Sequence, residues 1–253
     1  MRVTLLLLAL VAAAVQSVTD GAIVRGPVDQ RAIALVFTGH EFAEGADEIL
    51  DVLSRRRIRA SFFLTGVFLR DAGKAAVIRR MIREGHYVGA HSDAHLLYAP
   101  WTGPKVTLIS RETFVTDLER NYAELARFGI GRDAARYFLP PYEWYTAEIA
   151  AWTRSLGLTL VNFTSGTRSN ADYTEEGTPQ FVPTAAIFES ILARERADGR
   201  GLNGFLLLLH VGVGPGRSDK FHLRFDDLAG RLADRGYRFV GVDTLLAGAG
   251  PVR

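Results

Sequence analysis

With 253 residues, 48% hydrophobic and 23% charged, and a formal net charge of +2, the chain has the make-up of a globular protein able to bury a real core. No basic block is long enough to suggest a nucleic-acid surface, and the densest run, Arg55-Arg56-Arg57, closes a predicted helix where cations offset the dipole. Cysteine is absent, which excludes disulfides and lipid attachment through a thiol.

In chain order, Arg2 precedes an apolar run from Leu5 to Val15 followed by Gln16-Ser17. This is the layout of a secretory signal peptide over residues 1–17, cut near Ser17, with an uncut N-terminal anchor as the other reading. The run is short for a membrane span and no later segment qualifies, so an exported domain over residues 18–253 is expected, secreted or periplasmic, with no stable membrane insertion. Residues 22–25 read as a short strand ended by Gly26-Pro27. Residues 32–37 are continuously apolar, as in a strand buried on both faces, and end in Thr38-Gly39-His40-Glu41. A helical pattern over 43–56 follows, with Ile49, Val52 and Leu53 on one face.

The unit then repeats. Residues 60–65 read as a strand, 74–83 as a helix stopped by Gly85, and 87–91 as the next strand. A loop with Pro100, Gly103 and Pro104 leads to a helix over 111–128, capped by Ser110. Residues 136–139 form a short strand cut off by Pro140-Pro141, and a helix around 146–155 precedes a strand over 159–163. The polar segment 164–177 has no apolar period and reads as a long loop. A helix over 184–198, a strand over 204–210, a helix over 221–234 and a strand over 237–242 close the series.

About seven such βα units fit a distorted (β/α)7-type barrel in one domain better than a doubly wound sheet. Placement of the polar residues supports this: His40-Glu41, His91, Tyr142 and His210 each follow the C-terminal end of a different strand, where barrel enzymes build their sites. His91 and His95 stand four residues apart, and neutral imidazole is the commonest ligand for borderline divalent metals. The two reach one ion if the intervening backbone makes about one helical turn.

Three motifs carry a resemblance. His91-Ser-Asp-Ala-His95, Phe138-Leu-Pro-Pro-Tyr142 and Leu207-Leu-Leu-His210 resemble the H-S/T-x-x-H, F-R-P-P-Y and L-L-H motifs of the polysaccharide deacetylase family, carbohydrate esterase family four. The resemblance runs from about Ala32 to Leu246 and implies a distorted β/α barrel that holds a divalent metal, commonly zinc or cobalt, and removes acetyl groups from sugars. It departs from the pattern at the first motif, T-F-D-D-G, which supplies a base Asp and a metal-ligand Asp. Here Val36-Phe-Thr-Gly-His-Glu41 has no Asp, and ungapped alignment sets Thr38 and Gly39 at those positions. A loop longer by two residues brings His40 and Glu41 there instead. The Arg that pairs with the base is replaced by Leu139, and the Asp and Trp of the fourth motif are not evident at Asn162-Phe163. The chain is a divergent branch of the pattern.

The resemblance implies His91 and His95 as metal ligands. Glu41 as the third ligand with His40 as base is the preferred assignment, and the reverse stays open. His210 is the expected general acid, and the Tyr142 N–H the oxyanion donor. Asp93 is a candidate to orient a ligand imidazole. Glu143, Trp144 and Tyr145 are candidates to line a sugar subsite, with Arg168, Asn170 and Asp172 weaker ones. His86 and His222 read as structural. The expected activity is metal-dependent removal of N- or O-acetyl groups from an acetylated carbohydrate outside the cytoplasm. A non-catalytic carbohydrate-binding protein on the same scaffold is the alternative from another class. Cleavage of a small amide is disfavoured by the export signal.

Overall fold

The computed structural model describes residues 16–247, so the apolar run over 5–15 lies outside the described residues while Gln16 and Ser17 lie within them. Strands β1 (Ser17–Thr19) and β2 (Ala22–Arg25) form a small antiparallel pair. Then follow β3 (Ala32–Gly39), α1 (Ala46–Arg56), β4 (Ser61–Leu64), α2 (Gly66–Arg70), α3 (Ala75–Arg83), β5 (Tyr87–Ala90) and α4 (Arg111–Arg127). The second half runs β6 (Tyr137–Phe138), α5 (Ala147–Ser155), β7 (Thr159–Leu160), α6 (Thr184–Ala197), β8 (Leu206–His210), α7 (Phe225–Asp234), β9 (Arg238–Val240) and α8 (Val242–Leu245).

The order β7-β6-β5-β4-β3-β8 makes a parallel sheet, with β9 paired to the start of β3. Its two ends meet through irregular backbone. Val161 bridges Ile23, and Thr164 N–H donates to the Leu206 carbonyl at 3.0 Å. The Thr164 hydroxyl donates to the Val24 carbonyl at 2.5 Å and accepts from Leu206 N–H at 3.0 Å. The result is the distorted β/α barrel in one domain that the alternation predicts. Among the described residues no helix is long and apolar enough to cross a membrane.

Alternation along each strand sorts the core. Ala32, Ala34 and Val36 join Phe63, Tyr87, Tyr137, Leu206 and Leu208 in one buried cluster, the barrel interior. The intervening Ile33, Leu35, Phe37, Phe62, Leu64, Leu207 and Leu209 belong to the cluster packed under the helices. Both faces are therefore apolar, which is why these strands read as unbroken runs.

The differences from expectation are local. Helix α2 spans only five residues, too few for a hydrophobic period to show, and is set by the Thr65 side chain, which accepts from Phe68 N–H. The helix expected over 221–234 divides into a 3-10 turn, Phe221–Arg224, and α7. Ser110 caps α4 as expected, accepting from Thr113 N–H.

The long polar segment before α6 is fastened by a charge with no access to solvent. Arg217, fully buried, donates to the carbonyls of Asp219 (2.7 Å), Thr174 (2.9 Å) and Val182 (2.9 Å) and to the Thr184 hydroxyl (3.0 Å). Each buried acceptor left unpaired costs about 1–3 kcal/mol. Arg217→Met is accordingly expected to lower unfolding stability by about 3 kcal/mol or more, read from the urea midpoint. A loss under about 1 kcal/mol would mean that water replaces the guanidinium without penalty.

Candidate active site

The alternation that fills the barrel also chooses what stands at its mouth. Continuing the inward parity of Val36 and Leu208 past the apolar layer places Thr38 and His210 inward, and from Tyr87 it places His91 inward. All three line a cleft of about 760 Å³ at the C-terminal ends of the strands, with His40, His95, Tyr142, Glu143, Tyr173 and Trp101 around it.

His91 is nearly sealed from solvent. Its Nδ1–H donates to the Leu139 carbonyl at 2.8 Å, which leaves Nε2 as the lone-pair atom. The segment to His95 makes a bend rather than the expected helical turn, with Ser92 at φ 73° and His95 at φ 55°. Asp117 of α4 holds this bend: its carboxylate accepts from the Ser92 hydroxyl (2.6 Å), Asp93 N–H (2.9 Å) and Ala94 N–H (2.9 Å). The Ser92 hydroxyl in turn accepts from His95 N–H at 3.1 Å. Asp93, a candidate to orient an imidazole, is instead bound to Arg70 of α2 at 2.5 Å and serves as an anchor.

His40 and Glu41 part company. The His40 ring lies nearly parallel to His95 with centroids 4.5 Å apart, and its Nδ1 is 3.2 Å from the Thr65 hydroxyl. Glu41 keeps 63% of its side chain exposed and approaches His40 Nε2 only at 4.0 Å. The placement thus sets His40, not the preferred Glu41, beside the histidine pair. His95 is sandwiched, with the Tyr142 ring 4.3 Å away on another side. Gly39 has the outward parity, and a side chain there would meet Leu64 and Phe68 at 2.9 Å.

Burial dominates the charge states of these rings. It holds His91 at about 3 and His95 lower still, with neighbouring imidazoles adding to the effect. His40 is lowered by burial too, partly opposed by Glu41. All three are neutral at neutral pH and keep a lone pair.

After β6, Pro140-Pro141 leads into two consecutive residues in the left-handed region, Tyr142 at φ 56° and Glu143 at φ 52°. Such conformations cost about 1–3 kcal/mol each in non-glycine residues. The Asn162 side chain braces the turn by donating to the Glu143 carbonyl at 2.8 Å. Glu143 turns its carboxylate into the cleft, 8% exposed and 4.0 Å from His91 Nε2. Burial lifts its carboxyl to about 7. Tyr142 presents its ring at the rim, edge-on to Trp101 with centroids 5.5 Å apart. Tyr145, a candidate to line a sugar subsite, is buried, its hydroxyl donating to the Thr19 carbonyl at 2.8 Å. Trp144 donates to the Pro100 carbonyl, and Trp101 and Tyr173 take the exposed aromatic positions.

His210 has a partner. Its Nδ1–H donates to Asp172 Oδ1 at 2.6 Å, and its backbone N–H to Asp172 Oδ2 at 2.9 Å. Burial alone would lower the imidazole, but the Asp172 charge and hydrogen bond, together with the Glu143 charge, outweigh it, so His210 is raised and holds a proton more firmly than usual. Asp172 comes from the polar segment, beyond the strand where the sequence motif was sought. His86 accepts from Ala60 N–H at 3.2 Å, in keeping with a structural role.

The donor chemistry of the mouth fits a borderline divalent ion: His91 has a fixed tautomer, and all three rings are neutral. Among the described residues no group of three or more His, Asp or Glu side chains is gathered tightly enough to hold an ion as it stands. His91 and His95 with His40 are the side chains that would hold one after movement of the rings.

Residues 25–161, just over half of the chain, match the family model described as Polysaccharide deacetylase. The chitooligosaccharide deacetylase of Sinorhizobium fredii is 27% identical over 201 residues, covering 75% of this chain and 80% of that protein. The peptidoglycan-N-acetylmuramic acid deacetylase PdaA of Bacillus subtilis is 27% identical over 136 residues, covering 54% of this chain and 48% of its own length. The solved structure of PdaA, described as a family 4 carbohydrate esterase, is similar with a TM-score of 0.68 at 22% identity, covering 90% of this chain and 85% of that one. A CE4 family pseudoenzyme from Bacillus anthracis is similar with a TM-score of 0.68 at 16% identity, covering 91% and 70%. With the family match across more than half of its length and the fold of these structures, the chain belongs to the polysaccharide deacetylase family.

Proposed function

We propose that the protein is a metal-dependent hydrolase that removes acetyl groups, N- or O-linked, from a carbohydrate outside the cytoplasm. The observation that carries this reading is the pairing, at one barrel mouth, of three clustered imidazoles with a fourth, His210, hydrogen-bonded to the Asp172 carboxylate. His91, His95 and His40 would hold the ion, zinc being the best match for imidazole donors. A bound ion supplies Lewis acidity toward the acyl oxygen and makes water a stronger acid. His210 protonates the leaving nitrogen or oxygen, and Asp172 fixes its tautomer and stabilises the imidazolium. The Tyr142 N–H is the oxyanion donor that the resemblance implies. Export is supported by the signal-like N-terminus alone.

Charge bears on the substrate. Among the described residues the cleft lining includes the exposed carboxylates Glu41 and Glu175 and no Lys or Arg. Acid-lined walls repel polyanions and accept neutral sugars. Acetate release by the zinc-loaded protein is therefore expected from N-acetylglucosamine oligomers or neutral O-acetylated glycans, and much less from acetylated glycans rich in uronic acid. Acetate assays across such a set test the function. A preference for the anionic glycans would refute the charge argument.

The second reading, a carbohydrate-binding protein without activity, is favoured by one observation: Thr38 and Gly39 stand where the family motif has its two aspartates. The Bacillus anthracis neighbour is itself described as a pseudoenzyme. Glycan binding by the zinc-loaded protein with no acetate release from any of the glycans would establish that reading.

A further inference from the structure

The end of β3 has lost both carboxylates of the motif, yet a carboxylate stands in the same cleft from another strand. We infer that Glu143, delivered by the left-handed turn after β6, is the catalytic base that replaces the missing aspartate. The inference rests on the hydrolase reading above and specifies which residue takes the proton from water.

Four observations carry it. The two motif positions at the end of β3 hold no carboxylate: Thr38 is a buried hydroxyl that finds no hydrogen-bond partner among the described residues, and Gly39 faces Leu64 and Phe68. Glu41 is solvated and Glu175 exposed, while Asp172 is committed to His210, so among the described residues Glu143 alone of the cleft-side carboxylates is both shielded from water and uncommitted. No described residue donates a hydrogen bond to the Glu143 carboxylate, which lies 4.0 Å from His91 Nε2. Finally, two adjacent non-glycine residues are held at positive φ, braced by Asn162 on the Glu143 carbonyl. Strain of this kind persists where surrounding structure enforces it, and here its effect is to aim one carboxylate at the histidine cluster. The same placement explains Leu139. The base no longer sits at the end of β3, so an Arg at 139 would have no anion to pair with and would be a buried unpaired charge.

The water oxygen bonds to the acyl carbon, the carbonyl π pair moves to the acyl oxygen, and the water proton passes to Glu143. The C=O then re-forms as the bond from acyl carbon to sugar nitrogen or oxygen breaks. That leaving atom takes the proton from the His210 imidazolium, giving the free amine or alcohol and acetic acid, which loses its remaining proton to solvent as acetate. Exchange with solvent resets Glu143 and His210.

The test uses the full mature protein, zinc and an N-acetylglucosamine oligomer. Glu143→Gln is expected to lower kcat about 10²–10⁴-fold with KM within a few-fold. Zinc stoichiometry and affinity by calorimetry should match the unsubstituted protein. In Glu143→Ala, added formate should restore at least about ten-fold in rate, as a small carboxylate enters the vacated space, with no gain in the unsubstituted protein. If the alanine variant fails to fold by near-UV circular dichroism, the glutamine variant decides. Retention of kcat within ten-fold in Glu143→Gln, or loss of zinc from it, would overturn the inference while leaving the hydrolase reading intact. An unsubstituted protein that binds zinc but releases no acetate would instead overturn both.

Discussion

Replacing His91 or His95 with alanine is expected to weaken zinc binding by more than about 100-fold, beyond the 10–100-fold typical for loss of a group that merely supports a ligand. Acetate release should fall in step with occupancy. The two variants should part on stability. His91 is 2% exposed and its Nδ1–H satisfies the Leu139 carbonyl inside the barrel. Removing it strands that acceptor and opens a void, costing about 1–3 kcal/mol for the unmet hydrogen bond alone. His95 sits past the bend, its ring between His40 and Tyr142 at the cleft, so its loss should leave the urea midpoint nearly unchanged. Calorimetry with zinc and urea unfolding on both variants measure these effects. Full zinc occupancy in a folded His95→Ala protein would defeat the ligand assignment.

The fold was legible because both faces of its strands are apolar and its helices are long enough to show a period. Where the strands end, less could be read. His40 and Glu41 both have ligand chemistry, but the two-residue alternation that sets Val36 inward also sets Thr38 and His40 inward and sends Glu41 out, a signal present in the sequence. Asp172 was harder to find because no periodicity leads to it. It reaches His210 from the polar segment pinned by Arg217, and that pairing depends on a tertiary contact across 38 residues. Glu143 was legible as a candidate lining residue only, because its burial follows from two positive φ values that Pro-Pro-Tyr-Glu does not announce. The same holds for Asp93, which has the right type and spacing to support a ligand but is captured by Arg70 on α2, a helix too short to foresee.

His210→Ala is expected to keep zinc and lose about 10²–10⁴-fold in kcat on N-acetylated oligomers. The reason lies in the leaving group. An amine departs poorly without a proton, whereas a phenolate departs readily, so the loss on an activated aryl acetate should be much smaller. Asp172→Asn tests the same acid through its charge state. An acid works only while protonated, so the rate falls as pH rises through the His210 pKa. Burial lowers that pKa, and the Asp172 charge and hydrogen bond together with the Glu143 charge outweigh it, so the unsubstituted protein keeps its proton to higher pH than an ordinary histidine. With the Asp172 charge gone, only the Glu143 carboxylate is left to oppose burial, and the pKa falls. The alkaline limb of kcat should then begin at lower pH, and lowering the pH should recover part of the activity of the Asn variant but none of that of the Ala variant. A role confined to holding the ring in place predicts a uniform loss with the limb unmoved. An Asn variant whose profile parallels that of the unsubstituted protein at every pH, or equal losses on amide and aryl ester in His210→Ala, would therefore reject His210 as the proton donor.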